Sequence, residues 1–245
     1  MKSDLNFQEL RVIGEAALGG GGHSPCAERV LFISSMGSHM WGMNRPESDI
    51  DLVVIYAAST MSILRGLKTQ ATIRQEIAAC QGEIYDTLGW EVGHLIDQLI
   101  RGNVNAIWYV KSPLVVKPSP YQQELAALVA ANLSRSSYHS IRGMAESQMK
   151  SEDSLSKPEI AGKGYRTALR TINFGINLLS HARICFEPVL HTPERSEVMA
   201  ALASLDEAYE DSSLPDRPDE GAFRDFLLRL RLEILAEEEG NGGKA

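Results

Sequence analysis

Leu31-Phe32-Ile33-Ser34-Ser35-Met36-Gly37-Ser38, then a polar loop, then Ser48-Asp49-Ile50-Asp51-Leu52-Val53-Val54-Ile55-Tyr56, is the stretch on which the fold turns. Val30 to Ile33 are apolar and mostly β-branched or aromatic, which predicts a buried strand. Gly37-Ser38 follows, where that strand should give way to a turn or a helix. A glycine there lets backbone N–H groups approach a phosphate, and the serine hydroxyl adds a donor. A second strand is predicted from Asp49 or Ile50. Side chains alternate across a strand, so Asp49 and Asp51 share a face. Two carboxylates on one face suit Mg²⁺, with Mn²⁺ as the alternative ion. Such ions prefer hard oxygen ligands and commonly take one or two carboxylates with substrate phosphates and water. Two ions would stabilise both the attacking and the leaving oxygen of an in-line displacement.

Asp-x-Asp by itself begins many strands as a turn cap, and Gly-Ser by itself says less. Their order, the ten residues between Ser38 and Asp49, and the apolar strand on each side make the combination specific. Gly37-Ser38-His39-Met40 also matches an expression-tag scar, but it sits inside the chain after a well-formed strand and belongs to the fold.

These residues resemble the signature of the DNA polymerase β-like nucleotidyltransferase superfamily: an apolar residue, Gly, Ser, about ten residues, then Asp-x-Asp between apolar neighbours. Here the match is Met36-Gly37-Ser38 and Asp49-Ile50-Asp51-Leu52. The resemblance implies transfer of a nucleoside monophosphate from a nucleoside triphosphate to a hydroxyl, with two Mg²⁺ ions and a third carboxylate on a later strand. Asp86, in Glu83-Ile84-Tyr85-Asp86-Thr87-Leu88-Gly89-Trp90-Glu91, is the preferred third carboxylate and Glu83 its rival. Either would otherwise serve as a turn or helix cap. From Trp90 to Ala106, apolar positions 92, 95, 96, 99 and 100 predict a helix, and Gly102-Asn103 its stop. That pattern is similar to the predicted nucleotidyltransferases associated with RNA ligases. The chain departs from their commoner form with Val104 in place of a proline and Trp108-Tyr109 where a glutamate often follows.

The expected fold class is α/β (α+β), with a mixed-sheet nucleotidyltransferase domain over residues 1–117 and a helical substrate-binding domain over 118–245. The division falls at Pro118-Ser119-Pro120. In the first part, 5–17 predicts a helix, the glycine run from Gly19 a linker and 59–81 one or two helices. No Gly-Lys-Ser/Thr follows the glycines, which excludes a P-loop. Residues 106–110 and 114–116 read either as a strand and an edge piece or as a helix and an extended segment. In the second part, helices are predicted over 121–133, 136–150, 162–182 and 222–238. The stretches 151–157 and 206–220 read as loops, and the tail from Gly240 as frayed.

The helix over 162–182 carries an apolar stripe, Leu169, Ile172, Ile176 and Leu179. Lys163, Arg166 and Arg170 form a basic row beside it, at i, i+3 and i+7. No acidic residue occurs from Ile160 to Phe186. Beside a metal site such a row would hold the donor's triphosphate or an RNA backbone; otherwise it is a solvated or salt-bridged face. His39 and Arg45 lie near enough in sequence to touch substrate, His94 reads as packed or exposed, and Trp41 would stack on a base or fill the loop's own core.

The chain of 245 residues can bury a sizeable core, and its 44% hydrophobic and 23% charged content is that of a globular protein. No run of eighteen apolar residues suggests a membrane span, and the N-terminus does not read as a signal peptide. Cys26, Cys80 and Cys185 are scattered with no Cys-x-x-Cys, which fits a cytoplasmic protein. The net charge of −8 argues against broad, non-specific nucleic-acid binding and leaves room for a local basic patch. The expected partners are a nucleoside triphosphate and an acceptor that is RNA, protein or a small molecule. The alternative is a non-catalytic nucleotide sensor or an antitoxin-like partner protein.

Overall fold

The computed structural model describes residues 7–19, 29–45, 48–78, 84–154 and 162–242. Most of the glycine linker, Glu83, the segment 155–161, Cys26 and Cys80 lie outside them. The chain runs α1 (Phe7–Gly19), β1 (Arg29–Met36), α2 (Gly37–Met40), β2 (Ile50–Ala57), α3 (Thr60–Leu64), β3 (Thr72–Ala78), β4 (Ile84–Glu91), α4 (Val92–Ile100), α5 (Val104–Lys111) and β5 (Val115–Lys117). Five helices follow: α6 (Pro120–Ala131), α7 (Ser137–Asp153), α8 (Lys163–His181), α9 (Arg195–Glu210) and α10 (Glu220–Gly242). This is a mixed α/β fold with a helical C-terminal region, as expected.

The sheet has the order β3-β4-β2-β1-β5, with β2 and β4 parallel and every other pair antiparallel. Its central strand, Leu52 to Ala57, is apolar throughout because both faces are covered. Leu52 and Val54 pack with Leu10 and Ile13 of α1, Ile33, Tyr85 and Val116. Val53 and Ile55 face the other way, into a larger core with α4, α5 and the C-terminal helices. That core is continuous from the sheet to α10, through Trp41, Trp108, Phe174 and Phe223.

Local signals explain several boundaries. Glu91 ends β4 and caps α4, accepting from the Gly93 N–H at 2.6 Å. Gly102, at φ 72°, stops that helix in the left-handed conformation, and Asn103 caps α5. Residues 104–117 resolve as helix then strand. Two expectations are corrected. The helical reading of 59–81 holds only for α3; Thr72–Ala78 is strand β3, paired along its length with β4. Ile73 and Ile77 fit a helical spacing, and cross-strand pairing decides otherwise. Residues 206–210 belong to α9, because Leu202, Leu205 and Ala208 bury one of its faces, and Glu220 opens α10; only 211–219 of that acidic stretch is loop. No described helix is long and apolar enough to cross a membrane.

Candidate active site

β1 delivers the chain to Gly37, which opens α2 at φ 64°. That left-handed conformation is open to glycine and costly to other residues. The space a side chain would fill is taken by Asp51: a Cβ on Gly37 would stand 1.9 Å from Asp51 Oδ2. The Gly-Ser turn is thus a seat for a carboxylate on the neighbouring strand. Met36 is the register partner of Asp51 across the β1–β2 pair, which brings turn and carboxylate together.

Asp86 is the partner of Asp51 on the other side, in the parallel β2–β4 pair. The two side chains lie on one face of the sheet, the face covered by the helical region. Asp49 stands just before β2 and is exposed. Its charge still reaches Asp51, whose pKa is raised by burial first, then by Asp86 and Asp49, with His39 and Lys163 acting in the opposite direction. Like charges crowded on a partly desolvated carboxylate create a demand for a cation. All three are hard oxygen donors of the kind a Mg²⁺ or Mn²⁺ ion takes. Among the described residues no three such side chains converge on one metal position. Asp86 is instead held by Arg74, at 2.8 Å from Nη2 to Oδ2.

The basic row divides. Arg170 turns inward: its guanidinium lies 5.1 Å over the Trp41 ring, Nη1 reaches Met43 Sδ at 3.9 Å, and its Nε is buried without a hydrogen-bond partner among the described residues. Desolvation lowers its pKa to about 10, opposed by the charge of Asp51. His39 Nε2 is likewise buried and unpartnered. Lys163 is exposed at the start of α8, and its charge reaches Asp51. Arg166 turns elsewhere, donating to the His191 carbonyl at 3.1 Å and the Thr192 hydroxyl at 2.9 Å. Ser38 is half-buried and its carbonyl accepts from the Met43 N–H, which closes the turn.

Trp41 fills the core rather than an open base site. It is 1% exposed and edge-on to Trp108, Phe174 and Phe186. Arg45 is exposed and its backbone N–H is bound by the Ser48 hydroxyl. His94 packs against Trp90. Two neighbours of the site were not among its candidate residues. Arg74 was hidden by the helical reading of its segment; the alternation Thr72, Arg74, Glu76 was the available signal. Tyr109 is buried and its pKa is pushed up to about 12, by burial first, with Arg74 opposing and Asp51 adding. No local pattern marks it.

No curated protein matches the chain. Among solved structures, a nucleotidyltransferase-like protein from Exiguobacterium sibiricum aligns over 97% of this chain and 77% of its own, at 14% identity and a TM-score of 0.36. The sequence profile of the RNA repair pathway DNA polymerase beta family (RlaP) matches residues 10–238, from α1 into α10. The match spans the sheet with its carboxylates and the helical region alike, and on that extent the chain belongs to the RNA repair pathway DNA polymerase beta family, among the DNA polymerase β-like nucleotidyltransferases.

Proposed function

We propose that the protein is a metal-dependent nucleotidyltransferase that moves a nucleoside monophosphate from a nucleoside triphosphate to a hydroxyl acceptor and releases pyrophosphate. One observation carries the reading: Asp51 and Asp86 are side by side on parallel strands, with the Gly37 turn against Asp51. Asp49, Asp51 and Asp86 would hold Mg²⁺, or Mn²⁺ in its place. A divalent ion there supplies neutralisation of charge on the transferred phosphoryl group and on the departing pyrophosphate.

The chain's own residues do the rest. Gly37 and Ser38 present the turn to the donor's phosphates. Arg170, desolvated and lacking a carboxylate partner at hydrogen-bond distance among the described residues, is an anion ligand in waiting. Lys163 adds a second positive charge, and Arg166 orders the loop beside it. Asp86 is the candidate base for the attacking hydroxyl. The division of labour follows the two halves: residues 1–117 carry the carboxylates, and 118–245 bring Lys163 and Arg170 onto the donor. The family's description names RNA repair, so an RNA hydroxyl is the first acceptor to test. The acid-free stretch 160–186 supports it locally, within a chain of net charge −8.

Pyrophosphate release from each ribonucleoside triphosphate, with Mg²⁺ or Mn²⁺ and with RNA, protein and small-molecule acceptors, tests the reading. Release should vanish in Asp49→Asn/Asp51→Asn. Metal-dependent nucleotide binding without release from any acceptor would favour the sensor; no nucleotide binding would remove the site assignment.

A further inference from the structure

Arg74 reaches Asp86 from the open edge of the sheet. β3 is the edge strand, and in its pairing with β4 Glu76 faces Asp86 while Arg74 faces Leu88. Cross-strand partners and residues two apart share a face, so Arg74, Glu76, Asp86 and Asp51 all stand on one side of the sheet. The guanidinium engages both carboxylate oxygens, Nη2 to Oδ2 at 2.8 Å and Nε to Oδ1 at 3.4 Å. The two partners differ in freedom. The Arg74 side chain is 75% exposed and that of Asp86 is 29% exposed. A long arm from solvent therefore holds a carboxylate set into the site.

With both oxygens bridged by the guanidinium, Asp86 offers only its outer lone pairs, beside a positive charge that repels a divalent ion. A free ion would have to displace the arm and leave the guanidinium to the unbonded charges of Glu76 and Asp51. A metal–triphosphate complex brings both replacements at once, a cation for Asp86 and a phosphate for Arg74. The planar guanidinium fork fits phosphate as well as carboxylate.

We propose that Arg74 is an exchange ligand: it closes Asp86 in the free protein and passes to a phosphate of the incoming metal–nucleoside triphosphate complex as the divalent ion takes Asp86. One ion pair, Arg74–Asp86, gives way to two, metal–Asp86 and Arg74–phosphate, and no charge is stranded. The site then admits metal together with nucleotide and resists free divalent cations. Metal and triphosphate affinities are coupled through one side chain, equally in both directions. This rests on the metal reading of Asp51 and Asp86 given above.

Mn²⁺ binding to the full chain, followed by calorimetry or by the Mn²⁺ resonance signal, separates the possibilities. Inorganic tripolyphosphate serves as a base-independent stand-in for the donor's phosphates. Arg74→Gln should bind free Mn²⁺ about two- to five-fold tighter, the range of an exposed ion pair. At saturating Mn²⁺ its affinity for tripolyphosphate should fall by about ten-fold, as expected for a charged hydrogen-bonded ligand. Arg74→Lys, which keeps the charge and loses the fork, should fall between. Asp51→Asn is the reference for the site itself. If wild-type Mn²⁺ binding depends on Asp51 and Arg74→Gln leaves either affinity unchanged, the exchange is overturned and the metal site stands. If Mn²⁺ binding ignores Asp51→Asn, the metal site and the exchange fall together.

Discussion

Asp51 and Asp86 are direct partners across the parallel pair of β2 and β4, and their side chains share the face that the helical region covers. Strand pairing forces two like charges together where burial is already under way. The Arg74 guanidinium offsets this at Asp86, and Asp51 carries the cost until a cation reaches it.

That cost has a sign that can be measured. The pKa of Asp51 is raised above the ordinary aspartate value of 3.8. A carboxyl with a raised folded pKa contributes stability fully below its unfolded pKa and loses that contribution as pH rises through the folded value. Asp51 therefore weighs against the metal-free fold at neutral pH. Asp51→Asn should raise the thermal midpoint in chelator by roughly 2–4 °C, the shift that about 1 kcal/mol produces in a chain of this size. The difference should shrink as pH falls towards the ordinary aspartate range. A lower midpoint for the variant at neutral pH would contradict the crowding of charge.

Gly37→Ala should disable the site without unfolding the chain. The methyl would meet Asp51 Oδ2 at 1.9 Å, so the carboxylate must leave its seat. The left-handed backbone adds about 1–2 kcal/mol of strain. Mn²⁺ affinity should fall by more than about ten-fold, because one carboxylate ligand is displaced, while far-ultraviolet circular dichroism keeps the wild-type shape. Unchanged Mn²⁺ affinity would separate the turn from the carboxylates.

Arg170 and Arg166 are one turn apart on α8 and should behave differently. Arg170→Gln removes a desolvated cation whose charge reaches Asp51 and should weaken triphosphate binding by about ten-fold or more. Arg166→Gln loses contacts to His191 and Thr192 and should weaken it far less. Nucleotide titrations of the two variants decide, and equal effects would make the basic row a diffuse field rather than a directed ligand.

Glu91 and Arg231 tie α10 to the sheet. Their side chains are 7% and 14% exposed and meet at 2.5 Å, and Arg231 also donates to the Ala58 carbonyl at 3.0 Å. Arg231→Met takes the cation from a buried carboxylate that keeps only the Gly93 and Ala58 N–H donors, and should cost about 3 kcal/mol, read from the urea midpoint. The double variant Glu91→Gln/Arg231→Met should recover part of the loss. A double variant no better than the single one would show that Arg231 acts through packing and its bond to the Ala58 carbonyl and not through the charge of Glu91.

The legible parts of this protein are those whose signals are local. Gly37 and Asp51 could be singled out because a turn and a strand start are written in consecutive residues. The stop at Gly102-Asn103 and the run of helices after Pro120 are of the same kind. Strand β3 was hidden because Ile73 and Ile77 satisfy a helical repeat as well as a strand, and only the hydrogen-bond ladder with β4 decides. Arg74 lay inside a segment read as helix, and Tyr109 stood out only as a departure from the family pattern, with nothing local to place it beside the carboxylates.

The amino-acid sequence by itself determined the carboxylate strand, the glycine turn before it and the alternation that buries both faces of β2, since each depends on backbone geometry over a few residues. Tertiary structure alone decided the rest. It put Asp86 beside Asp51, Asp51 against Gly37, Arg170 on Trp41, Arg74 on Asp86 and Arg166 away from the site. Those outcomes depend on strand order and helix packing, which bring distant residues together with no trace in the local pattern.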